Sequence, residues 1–341
     1  MGFTNRRHRV LGAIAGLLAL VALLGCAARL RPVSLQKLPW VPVVIAATPW
    51  FAAVAAVALV LALISRRWVV AIVSCLCIAV QVYWQMPFFR TSNPLDSQAI
   101  AAAATGDTSD NVMRVMTANV YKGQADPQAI VDLVREQHVE VLTLQETTPE
   151  FVERLEADGL KELLPYDEVS SSEHSWKRYG NGLWSARPMR DVVAAEFDSV
   201  ASFMPAGTVD VDDGTLPVRF VSVHTTSPNP GTWDMWSQSI GELSQLTAKK
   251  DTRYVLMGDF NATADHAVFR EVLGDGYQDA VMADGHGFVF TWPMDRKYVA
   301  AGTDLDHIIV GKDTKVGQVE AATIPGSDHR ALLATLEFPG R

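Results

Sequence analysis

The stretch "YVLMGDFNAT", residues 254–263, sets the reading of the whole chain. Val255, Leu256 and Met257 form the short apolar run of a buried strand, and the run stops at Gly258. Asp259 and Asn261 follow two positions apart, so on extended backbone they point to one side while Phe260 points to the other. Gly258 admits a close approach of neighbouring chain at that point. A buried strand that ends by presenting a carboxylate and an amide together is a candidate site.

Outward from this strand, residues 112–341 alternate strand and helix patterns. "VMRVMTANV" (112–120) and "VEVLTLQE" (139–146) are predicted strands, and each is followed by an amphipathic helix, "PQAIVDLVREQH" (127–138) and "PEFVERLEAD" (149–158). The first helix places Ile130, Leu133 and Val134 on one side. Further strands are expected at 181–186, 218–224, 253–259, 305–310 and 330–338, with one helix over 232–250. Such alternation predicts an α/β domain with more than one sheet. Nearly every strand ends in a polar group suited to metal or phosphate chemistry: Asn119, Glu146, His224, Asp259 with Asn261, Asp306 with His307, and Asp328 with His329. Any one of them alone would be read as a turn or capping residue. Their recurrence at strand ends, where α/β sheets assemble their sites, points to a shared function.

The first 90 residues are of another kind. Three hydrophobic stretches, about 10–28, 40–64 and 68–87, each approach the ~20 residues a helix needs to cross a bilayer. Three transmembrane helices are expected. "LLGCAA" around Cys26 also fits a lipoprotein cleavage site, which the two later stretches make the lesser option. With the N-terminus inside, Arg6, Arg7, Arg9, Arg66 and Arg67 oppose Arg29, Arg31, Lys37 and Arg90, five against four. Three spans would then put the rest of the chain outside the cytoplasm. Residues 91–111, small and Ala-rich, read as a flexible linker to a domain at 112–341.

Charge separates the two parts. Residues 1–110 hold nine of the 29 Lys/Arg and three of the 38 Asp/Glu, which leaves 20 against 35, a net of -15, for the remainder. Such a domain disfavours general affinity for nucleic acid, so nucleic acid enters only as a possible substrate. Cys26, Cys75 and Cys77 all lie in the apolar stretches, so no disulfide framework supports the domain.

In this order, "TANV", "LQET", "YGNGLWSARP", "VSVHTTSP", "GDFNAT", "LDHIIV" and "GSDHR" resemble the endonuclease/exonuclease/phosphatase superfamily of divalent-metal phosphoesterases, across residues 117–330. The resemblance implies a four-layer α/β sandwich of two packed mixed sheets flanked by helices. It implies Glu146 as the main ligand of Mg²⁺ or Mn²⁺, with Asn119 and Asp328 beside it. It implies Asp259 as the group that orients or deprotonates water, and Asn261 as a donor to a phosphoryl oxygen. His329 would contact the phosphate with Asp306 as its carboxylate partner, and His224 would be the leaving-group general acid. Asn181 and Ser185 would support the site from beside it. The Arg that often precedes the "IDY/IDH" pattern is absent, and Asp304 stands near that place.

Three functions are compatible with these features. A membrane-anchored phosphoesterase acting on a phospholipid or lipid-linked phosphate fits the apolar segments, the acidic domain and the aromatic "GTWDMW", whose Trp233 and Trp236 could sit at the lip of the site. An extracytoplasmic nuclease fits the motifs but lacks a basic, aromatic-interleaved stripe. A degenerate binding module is opposed by the intact set of polar residues. No protein partner is indicated.

Overall fold

The computed structural model describes residues 2–170, 180–296 and 300–339, with side chains from His8 onward. Two compact units divide the chain: Met1–Pro87 with Ala264–Ala267, and Phe88–Thr263 with Val268–Arg341.

Among the described residues, His8–Arg29 and Trp68–Phe89 are the two helices long and apolar enough to cross a membrane, where three were expected. The expected middle span is broken into helices Val41–Ala46 and Trp50–Ile64. Pro49 lacks the N–H that would continue the helical ladder, and the Thr48 hydroxyl closes on Ile45 O at 2.6 Å instead. The 15-residue second piece rises about 22 Å, short of the ~30 Å hydrocarbon layer. Two such segments, where three were expected, do not supply the odd number on which the expectation of an extracytoplasmic domain rested. Fully buried Ala15, Ala22, Ala55, Ala58 and Ala62 allow close helix packing. Cys26 is buried inside helix Gly2–Arg29, with Gln81 Nε2 at 3.5 Å from its sulfur.

The second unit has twelve strands among the described residues: β1 (Val112–Asn119), β2 (Val141–Thr147), β3 (Tyr166–Val169), β4 (Gly180–Ser185), β5 (Met189–Val193), β6 (Ala206–Val211), β7 (Leu216–His224), β8 (Tyr254–Asp259), β9 (Tyr277–Asp279), β10 (Asp306–Gly311), β11 (Lys315–Thr323) and β12 (Arg330–Glu337). They form two six-stranded mixed sheets, ordered β11-β12-β1-β2-β4-β3 and β5-β6-β7-β8-β10-β9. Each sheet has one parallel pair at its centre, β1 with β2 and β7 with β8, and antiparallel neighbours elsewhere. A parallel pair needs a crossover, which helices Pro127–Glu136 and Trp233–Glu242 supply. Asp126 and Thr148 cap the helices that follow β1 and β2, each ahead of a proline at the first helical position.

Alternation along the central strands sorts their side chains. Met116, Ala118, Leu142 and Leu144 pack with Ile130, Val131, Val134, Phe151 and Leu155 in one apolar layer. The intervening Thr117, Thr143 and Gln145 turn to the other sheet. Thr143 Oγ1 donates to Thr117 Oγ1 at 2.8 Å, Gln145 Nε2 to Ser222 Oγ at 3.2 Å, and Thr143 Oγ1 lies 3.4 Å from Met257 O. A polar seam therefore runs between the sheets beneath the strand ends.

The strands expected from apolar runs are all present. β3, β5, β9 and β11 were not expected, because they are short, edge-lying or rich in exposed polar residues; β6 was not expected because Gly207, Thr208 and Asp210 interrupt its apolar run, although it is largely buried between β5 and β7. The helix expected over 232–250 is interrupted, as Trp233–Glu242 and Ser244–Thr247. The expected linker contains a helix, Ser97–Ala103, capped by Asp96 and packed through Ala99 and Ala103 on Val112. Its alanines are small enough to lie close against β1, so the segment is structured where composition suggested a tether.

Candidate active site

The polar strand ends meet. His224, Asp259 and Asp306 are direct register neighbours across β7, β8 and β10, so they occupy one end of the second sheet and face one way. From the first sheet, Asn119 ends β1 and Glu146 lies near the end of β2. The Asn119 amide spans the gap, its Nδ2 3.0 Å from Asp259 Oδ2 and 3.4 Å from Glu146 Oε1.

Glu146 is aimed by a bulge. Pairing with β4 skips from Gln145 to Thr147, and Glu146 itself adopts φ +60°. The left-handed conformation costs a non-glycine residue about 1–3 kcal/mol, and it turns the carboxylate out of the ladder toward the other sheet. Gly258 does the complementary work on β8. At φ +151°, a Cβ there would lie 1.9 Å from Val223 O, so only glycine lets β7 and β8 close at this level. Phe260 turns away into the core, its ring edge-on to Phe269 and His307.

Asp259 is the hub. Its Oδ1 accepts from Asn261 N at 2.8 Å, while its Oδ2 has His224 Nε2 at 3.9 Å and His329 Nε2 at 3.8 Å. Burial raises its pKa; the neighbouring Asp306 charge adds to this, and the two imidazoles oppose it. A carboxylate so shifted is a stronger proton acceptor. Asn261 adopts φ +47°, tolerable for Asn, with its Nδ2 on Thr225 O at 3.0 Å and its carbonyl receiving Trp236 Nε1 at 2.8 Å.

His329 pairs with Asp306, Nδ1 to Oδ2 at 2.7 Å. Burial alone would push this imidazole down, but the Asp306 and Asp259 carboxylates overcome it and raise it to about 10. It is therefore an imidazolium at neutral pH, with Nε2–H turned toward Asp259.

Asp259, Asp306 and His329 present donor atoms within 4.8 Å of one another. Asp259 Oδ2 and Asp306 Oδ2 are already engaged, by Asn119 Nδ2 at 3.0 Å and His329 Nδ1 at 2.7 Å, so the better place for a cation is on the Glu146 side. Glu146 Oε2 and Asp328 Oδ1 are both buried without a hydrogen-bond partner among the described residues. Burial raises the Asp328 pKa, and the Glu146 charge contributes in the same direction. A divalent cation beside these oxygens would relieve both, and all-oxygen donors suit a hard ion. The residues present fit such an ion.

The family model of the Endonuclease/Exonuclease/phosphatase family matches residues 116–329. The chain belongs to that family. Solved structures similar to it include truncated TDP2 of Caenorhabditis elegans, 18% identical over 68% of this chain and 100% of that one, with a TM-score of 0.53. An endonuclease/exonuclease/phosphatase family protein from Leptotrichia buccalis is 20% identical over 66% of this chain and 100% of that one, with a TM-score of 0.54. TDP2 of D. rerio in complex with a single-strand DNA product is 16% identical over 67% and 99%, with a TM-score of 0.54. These likenesses show a shared fold. No curated protein matches the chain.

Within this family fold, three expected placements change. Ser185 pairs with Val141 at the start of β2, the strand end remote from Glu146, and accepts from Arg187 N there. Trp236 is fully buried with its indole N–H on Asn261 O, so it braces the Asn261 turn and is not at a lip; its helical position faces the core. His307 faces away from Asp306, as alternation requires, and bonds Asp279 and Ala262 O. Asn181 reaches the site indirectly: its Nδ2 lies 2.9 Å from Ser202 Oγ, which donates to His224 O at 2.7 Å. Tyr179, the first residue of the "YGNGLWSARP" motif, lies outside the described residues. Asp304 is buried, and its charge helps raise His307.

Sequence reasoning missed Ser327. Its hydroxyl donates to Asn119 O at 2.7 Å and accepts from His329 N at 3.0 Å, tying the His329 turn to the end of β1. The serine stands one residue before the Asp328–His329 pair, but its partners are main-chain groups that no motif exposes.

Proposed function

We propose that this chain is a membrane-anchored, divalent-metal-dependent phosphoesterase. It hydrolyses a phosphodiester or phosphomonoester of a membrane-associated substrate, such as a phospholipid or lipid-linked phosphate. Residues 1–90 serve as anchor and 112–341 as catalytic domain. The observation that carries the reaction class is the convergence on Asp259 Oδ2 of Asn119, His224 and His329, beside a Glu146 carboxylate with an unpartnered buried oxygen. The two long apolar helices support the membrane reading.

Glu146 would hold Mg²⁺ (or Mn²⁺), with Asn119 and Asp328 beside it. When bound, such an ion polarises a phosphoryl oxygen and makes bound water more acidic. Asp259, with its raised proton affinity, orients the attacking water and takes its proton. Asn261 has a second amide hydrogen to give as negative charge builds on the phosphoryl oxygens. The His329 imidazolium, fixed by Asp306, supplies positive charge on the same face. His224, at the edge of the cluster and partly exposed, is placed to protonate a leaving oxygen.

A second reading is a nuclease. Its support is that D. rerio TDP2 is seen with a single-strand DNA product. The net of -15 over residues 111–341 weighs against it.

Hydrolysis by the full-length protein is expected to stop in EDTA, and in Glu146→Ala and His329→Ala. Activity that survives both substitutions overturns the site assignment. A panel of detergent-dispersed phospholipids, short DNA, RNA and soluble phosphomonoesters ranks the substrates. Faster cleavage of duplex DNA than of lipid establishes the nuclease reading instead.

A further inference from the structure

The apolar segment Trp68–Phe89 ends on an aromatic residue, Phe89, which is 59% exposed. Its ring does not stand alone. Phe88 and Phe89 lie 4.9 and 5.2 Å from the ring of Phe288, and Phe288 stacks on Phe290 at 5.3 Å with planes only 10° apart. Main-chain bonds fix this arrangement: Gly287 N donates to Phe88 O at 2.7 Å, and Ser92 N donates to Ala283 O at 3.0 Å. Gly285, at φ +70°, permits the approach, since a Cβ there would lie 2.2 Å from Thr91 N.

The other end of the ladder reaches the catalytic strands. Thr291 follows Phe290; its carbonyl accepts from Arg330 N at 2.8 Å, and its hydroxyl accepts from Asp306 N at 3.3 Å. Asp306 and the residue before Arg330 are the Asp306–His329 pair. Aromatic rings thus run from Phe88 and Phe89 to Phe290, whose neighbour Thr291 bonds the backbone that carries the Asp306–His329 pair. Phe288 and Phe290 are only half-buried, and Arg90, exposed, follows Phe89. Aromatic and basic residues at the end of an apolar span are the composition of a membrane–water interface.

We propose that Phe89, Phe288 and Phe290 form a lipid-interface surface that brings a phospholipid phosphoester from the bilayer to the Asp306–His329 pair. This deepens, and rests on, the membrane-substrate reading above.

The test uses the full-length protein in phosphatidylcholine–phosphatidylglycerol vesicles. With p-benzoylphenylalanine in place of Phe288, irradiation is expected to give a phospholipid adduct, detected by mass. The same replacement at Tyr166, on edge strand β3, gives none. No adduct at 288, or equal adducts at both positions, overturns the surface. Separately, Phe89→Ser is expected to lower hydrolysis of vesicle phospholipid about tenfold while leaving bis(p-nitrophenyl) phosphate hydrolysis unchanged. An equal fall on both substrates, or no fall on either, also overturns it. An adduct at 288 from a protein that hydrolyses no phospholipid leaves the surface standing and refutes the substrate reading alone.

Discussion

Asp306 has one oxygen on His329 Nδ1 and the other buried without a partner among the described residues, so its charge is committed to the imidazole. Replacing it by an amide removes the charge that keeps His329 protonated and offers an N–H where an acceptor is needed. Asp306→Asn is therefore expected to lower kcat on a soluble phosphodiester by about 10²–10⁴ while leaving far-UV circular dichroism unaltered. A kcat within a factor of a few of the parent would remove the pair from the chemistry. At this scale the polar strand ends that meet, Asn119, Glu146, His224, Asp259 and Asp306, were visible as polar residues closing apolar runs, whereas Ser185 and His307 carry the same signal and lie elsewhere. It was silent where the partner is a main-chain group delivered by the fold, as for Ser327 on Asn119 O or Trp236 on Asn261 O.

At the scale of elements, apolar periodicity revealed most of the inner strands but neither β6, whose apolar run is broken by Gly207, Thr208 and Asp210, nor edge strands such as β5 and β11, which carry little that must be buried. It could not show the bulge at Glu146, which is a property of pairing with β4 and has no local signature. Nor did it show where β9 and β10 are locked. His307, on β10, gives Nδ1 to Asp279 Oδ2 at 2.7 Å and Nε2 to Ala262 O at 2.8 Å. Burial alone would lower this imidazole, but the Asp279 charge and hydrogen bond raise it to about 9. The folded value lies above the unfolded one of ~6.5, so the stabilisation is complete below about pH 6.5 and is lost as pH rises through about 9. The Tm should fall from pH 7 to 10, and His307→Gln should start lower and fall less steeply. Parallel Tm profiles for the two proteins would show that the pair does not anchor β10.

At the scale of the molecule, hydropathy marked three apolar segments, of which two are helices long enough to cross a membrane among the described residues; the middle one is broken at Pro49, which an average over a window does not register. The charge division was legible in full, since it needs no folding to be counted. What no stretch of sequence displays is that the two halves of the site come from different sheets: Asn119 and Glu146 from one, His224, Asp259 and Asp306 from the other. Between them lies the seam of Thr117, Thr143, Gln145 and Ser222. Methyl groups packed face to face would hold two sheets together but leave them free to slide by fractions of an ångström. Directed hydrogen bonds do not slide, so the seam acts as an alignment key for a reaction that tolerates little misplacement. Thr117→Val with Thr143→Val removes both partners of one bond but strands the buried Gln145 Oε1, which Thr117 Oγ1 meets at 3.3 Å, so unfolding free energy should fall by about 1–3 kcal/mol. The same pair should lower kcat about tenfold. Unchanged turnover in that double variant would mean the sheets keep their alignment by shape alone.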